Sequence, residues 1–142
     1  MTLPEPYLLH PAVVHFPIAL LTVGWATCVL RQRTQWLPNA TSWLLWLGTA
    51  ATWAALGLGL LAESTAPHVP PAWQTLNLHE TLAYWTAGSF SALSLWRWRW
   101  GAWRPHLFLA VWAFACAVLL ATAYQGGELV FTHGMGVTTD PR

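Results

Sequence analysis

Four stretches of the chain, about 11–30, 41–62, 78–96 and 106–124, run almost without charge. No Asp, Glu, Lys or Arg falls in the first, second or fourth, and the third holds only Glu80, close to its entrance. A helix needs about 20 mostly apolar residues to cross a hydrocarbon layer about 30 Å thick at about 1.5 Å per residue. In lipid each backbone polar group must be satisfied within its own segment, so stretches of this kind are helices. The expectation is an all-α membrane protein, a four-transmembrane-helix bundle in one domain over residues 1–142, with residues 125–142 as a Gly-rich outer lid or tail.

Composition excludes the main alternatives. Only 8% of residues are charged, against about a quarter in soluble domains, so a water-soluble enzyme and a disordered tail are both ruled out. Six Arg and no Lys against five acidic residues give a net charge of +1, too little to hold a phosphate backbone, so no nucleic-acid partner is expected. Cys28 and Cys116 lie in apolar stretches, outside any CxxC or CxxCH pattern, and read as reduced and structural. No GxSxG, HExxH or phosphate-binding glycine loop is present, which leaves a hydrolase or NTPase without its usual parts and an enzymatic role open.

Arginine sets the orientation. Arg31 and Arg33 close the first stretch, and Arg97, Arg99 and Arg104 close the third, whereas all Asp and Glu, with Arg142, fall on the other side. Basic residues collect at cytoplasmic ends, so both termini are expected on the periplasmic side of a bacterial inner membrane. The first stretch is read as retained, since Met1–Leu9 has no basic residue and the apolar run exceeds a typical signal core. The Trp and Arg of residues 96–104 read as an interfacial aromatic belt.

Five of the six histidines, His10, His15, His68, His79 and His133, fall at the outer level, with His106 alone inside. Ionisable groups near membrane depth mark functional sites by default. In Leu9-His-Pro-Ala-Val-Val-His-Phe-Pro17, His10 sits at the cap and His15 about 6 Å inside the mouth. Pro17 frees the carbonyl of Val13 and is expected to kink the helix beside His15. His10 and His15 are about 140° apart around the axis, so one of them points into the bundle. His79 enters the third stretch with Glu80 beside it and Tyr84 a turn below. Glycines 126, 127, 134 and 136 are expected to break the helix and fold His133 and Met135 back over His15 and His79.

The string HPAVVHFPIAL, the His opening the third stretch and the terminal GGELVFTHGMGV resemble the bacterial membrane family named domain of unknown function 2231, whose members share an HPxxVHFP opening and a GGxLVYxHGxGV close. Phe131 stands where that family often has Tyr, and Met135 where it often has Val. Cytochrome c domains fused to or encoded beside some members imply electron transfer by association.

Three readings stay open. In the first, His15 and His79 ligate one b-type haem axially between the first and third helices. Glu80 then orients His79, Gly57, Gly59 and Gly88 give the flat ring room, and quinone or a cytochrome c is the redox partner. In the second, His10, His15, His79 and His133, with Glu80, bind a Cu, Zn or Fe ion. In the third there is no cofactor, and the histidines brace a structural subunit of a larger membrane redox or transport complex. His68 reads as a loop residue, His106 as an interface anchor and Met135 as a packing residue.

Overall fold

The computed structural model describes residues 8–30, 37–65, 69–101 and 104–135. Helices α1 (Leu9–Val13), α2 (His15–Leu30), α3 (Leu37–Thr65), α4 (Trp73–Trp100) and α5 (Pro105–Phe131) account for nearly all of them, with one 3-10 turn at Pro70–Ala72 before α4. Helices α1 and α2 are one rod interrupted at Val14. Pro17 has no N–H to give the carbonyl of Val13, and the next bond, Ile18 N–H to Val14 O, is stretched to 3.5 Å. The helix begins at Leu9, so His10 lies within its first turn and not at its cap.

Among the described residues three helices are long and apolar enough to cross a membrane: Leu9–Leu30, Asn39–Thr65 and Pro105–Phe131. The expected fourth, α4, has the length, at 28 residues, but carries Glu80, Arg97, Arg99 and a series of hydroxyls. Several of its polar side chains turn inward. Thr86 is buried and pairs with Thr122 of α5 at 3.0 Å, Ser94 meets Thr49 of α3 at 2.8 Å, and Arg97 Nε donates to Ser42 Oγ of α3 at 2.9 Å.

Helix α2 packs on α3 and α4 on α5, and the two hairpins meet along α3–α4 and α2–α5. The core holds Leu21, Leu45, Phe90, Leu93, Phe108, Trp112 and Leu119. Trp96, Phe108 and Trp112 stack edge to face at 5.6 and 5.7 Å, the arrangement ring quadrupoles favour. Along α2–α5 each helix gives an indole N–H to the other's backbone: Trp25 to Leu109 O at 3.3 Å and Trp112 to Leu21 O at 3.2 Å. Cys28 and Cys116 form no disulfide.

The outer surface is apolar, with Phe16, Trp43, Trp53, Trp85, Phe114 and Phe131 among the large exposed side chains. Such a surface suits lipid contact and would be an aggregation hazard in water. The C-terminal end differs from expectation. Helix α5 runs through Gly126 and Gly127 to Phe131, because glycine is tolerated in helices whose backbone bonds have no competing water. Only then does the chain turn, at Gly134 with φ +67°, where Gly134 N–H reaches Val130 O and Met135 N–H reaches Leu129 O. Gly136 and the rest of the expected lid lie outside the described residues.

Candidate functional site: a pair of carbonyl-braced imidazoles

At the end of the bundle where α1 and α4 begin and α3 and α5 finish, two histidine rings meet. His10 of α1 and His79 of α4 have ring centroids 6.2 Å apart and planes at 86°. His10 Nδ1 lies 2.9 Å from the carbonyl of Ala55 in α3, and His79 Nδ1 lies 2.9 Å from the carbonyl of Thr122 in α5. A carbonyl only accepts, so each Nδ1 carries the proton it donates, and the neutral ring keeps its lone pair on Nε2. Both rings are thereby held in one tautomer. Each carbonyl also accepts the N–H four residues on in its own helix, so the imidazole uses a second lone pair that would otherwise go unused.

The rings reach these carbonyls because the residue one turn further on is glycine. A Cβ on Gly59 would fall 3.0 Å from His10 Cε1, and one on Gly126 would fall 3.1 Å from His79 Cε1. Gly57 and Gly88, expected to give a flat ring room, are exposed, and no atom lies within 4 Å of such a Cβ on either.

The structure therefore pairs His79 with His10. His15 is exposed on the outside of the bundle: with the two residues about 140° apart on one rod, only one ring can face α3, and it is that of His10. Glu80 is half-buried, but the orienting acceptor for His79 is the Thr122 carbonyl. Tyr84 is exposed. His133 does not join the pair as a lid residue. Its Nε2 lies 3.3 Å from Thr75 Oγ1, which ties the end of α5 to the first turn of α4. Met135 is half-buried after that turn, and His106 is exposed at the opposite end. His68 lies outside the described residues. Among the described residues no group of three or more His, Cys, Asp or Glu converges as a metal-binding cluster.

Sequence reasoning missed Ala55 and Thr122 altogether and took Gly126 for a helix breaker. A usable signal was present: a carbonyl acceptor position followed one turn later by glycine, 45 residues after His10 and again 43 residues after His79.

A family model described as a predicted membrane protein (DUF2231) matches residues 6–139. No curated protein and no solved structure matches the chain.

Proposed function

The chain belongs to the DUF2231 family of predicted membrane proteins, and from that footing we propose that it is a four-helix electron-transfer protein holding one b-type haem between His10 and His79. The observation that carries this reading is the matched pair of Nδ1–H···O=C bonds at 2.9 Å. Metal-bound imidazoles characteristically give their second ring proton to a backbone carbonyl or carboxylate, which fixes the ring and raises its basicity as a ligand.

Donor count favours haem over a bare ion. Haem brings its own nitrogen ligands and asks the protein for only one or two more, whereas a structural Zn site uses four protein donors, and no cluster of three is found among the described residues. The ring centres of His10 and His79 lie 6.2 Å apart, close enough for both imidazoles to serve one centre. Bound haem would supply one-electron chemistry; His10 and His79 would ligate it, and Ala55 and Thr122 would fix their orientation. The five arginines that fall in the sequence between the first and second and between the third and fourth apolar stretches favour a periplasmic position for the pair under the positive-inside rule, within reach of a quinone or a periplasmic cytochrome c.

The test is the visible spectrum of detergent-purified protein from haem-replete cells, oxidised and then dithionite-reduced. A Soret band and a reduced-minus-oxidised difference are expected in wild type, His15→Ala and His106→Ala, and are lost in His10→Ala and His79→Ala. A helical protein with no Soret band, or one that carries a stoichiometric non-haem metal, overturns the reading.

A further inference from the structure

The two halves of the site are built alike. His10 opens the first hairpin and donates to Ala55 O, with Gly59 one turn beyond; His79 opens the second and donates to Thr122 O, with Gly126 one turn beyond. The two carbonyl-to-glycine steps have the same length, the donor–acceptor distances are both 2.9 Å, and the glycine-to-ring approaches are 3.0 and 3.1 Å. The packing repeats in the same way, since exchanging the hairpins turns the α2–α3 contact into α4–α5 and the α2–α5 contact into α4–α3. A shared two-fold relation, with the His10–His79 contact across it, accounts for all of these equalities at once.

We infer that the bundle is a tandem pair of one histidine-bearing hairpin, and that Gly59 and Gly126 are equivalent positioning residues that set the tautomer and depth of the two imidazoles. A methyl at either position meets the ring at Cε1, between the two nitrogens. The ring then has to give by a few tenths of an ångström, which strains the 2.9 Å bond that fixes the Nδ1 proton. The site consequently presents two like imidazole nitrogens, and the matching ligand class is a metal centre that takes two equivalent imidazoles from the protein. That last step rests on the haem reading, while the positioning role does not.

The test uses the full-length chain in detergent micelles without cofactor, labelled with 15N at histidine. Both His10 and His79 are expected in the Nδ1–H tautomer, with matching shift patterns. Gly59→Ala is expected to move the His10 resonances alone, and Gly126→Ala those of His79 alone, with His15 and His106 unmoved as a check on folding. Gly57→Ala and Gly88→Ala should move neither ring. Either ring protonated at Nε2 in the unsubstituted chain overturns the inference, and so do ring signals indifferent to the adjacent glycine. The expected tautomers in a protein that never shows a Soret band would sink the haem reading and leave the positioning role intact.

Discussion

Replacing glycine by alanine at two points of α3 should move stability in opposite directions. A Cβ on Gly48 falls 2.5 Å from Leu21 Cδ2, 2.6 Å from Leu21 Cγ and 3.3 Å from Leu20 Cβ. Leu21 is fully buried, in one cluster with Leu45, Phe90 and Trp112. It has no open side into which to turn, and its Cγ is a branch point, not a flexible tip. Either α2 backs away from α3 or Leu21 leaves its rotamer, and overpacking of this kind costs about 1–3 kcal/mol. The gain from removing glycine from a helix offsets about 0.5–1 kcal/mol, so Gly48→Ala should destabilise by about 1–2 kcal/mol. At Gly57 no atom lies within 4 Å of the added methyl, and only the gain of about 0.5–1 kcal/mol remains. The gain is common to both, so the two variants should differ by the overpacking cost of about 1–3 kcal/mol, roughly 5- to 150-fold in the unfolding equilibrium. An SDS titration in mixed micelles, followed by far-ultraviolet circular dichroism, measures this. Equal shifts of the same sign would refute the α2–α3 register on which the site rests.

Two further outcomes can be checked in the same preparations. Thr86 and Thr122 hydroxyls lie 3.0 Å apart, and each is also within reach of the carbonyl one turn back, Leu82 O at 2.8 Å and Val118 O at 2.9 Å. Two protons cannot serve three contacts at once, so a Thr86→Val, Thr122→Val double-mutant cycle should give a coupling near the membrane average of about 0.6 kcal/mol; a coupling of zero would separate α4 from α5 at this level. For orientation, a membrane-impermeant maleimide applied to intact spheroplasts should label Thr132→Cys and spare Arg99→Cys in a Cys28→Ala, Cys116→Ala background, and the reverse pattern would invert the assignment.

Much of the scaffold is legible in the residues because lipid leaves an apolar chain little freedom. Three spans follow from length and hydropathy, and the interruption at Val14 follows from the missing N–H of Pro17. The site is less legible because periodicity gives the angle between two side chains and not the direction of either. His10 and His15 differ by a known rotation, yet choosing between them requires knowing which face of α1 meets α3. Gly126 shows the same limit. Its composition signals a break, while its role depends on a ring from another helix, and the equivalence of His10 with His79 is obscured by the unlike residues around them, Pro11 and Phe16 in one hairpin, Glu80 and Trp85 in the other.

Helix α4 shows what average hydropathy leaves out. Averaging treats a residue the same whether it faces lipid or a neighbouring helix, but the cost of a polar group in a membrane falls on those left without a partner. On α4 several polar groups have partners on other helices: His79 on Thr122 O, Thr86 on Thr122, Ser94 on Thr49 and Arg97 on Ser42. The face turned outward carries Leu78, Trp85, Leu95 and Trp98. A helix made only of lipid-compatible residues could pack in this place, but it could not bring an imidazole to the axis between the hairpins. His79 is thus one of the residues that lower the apparent hydropathy of α4, and it supplies one of the two rings of the pair.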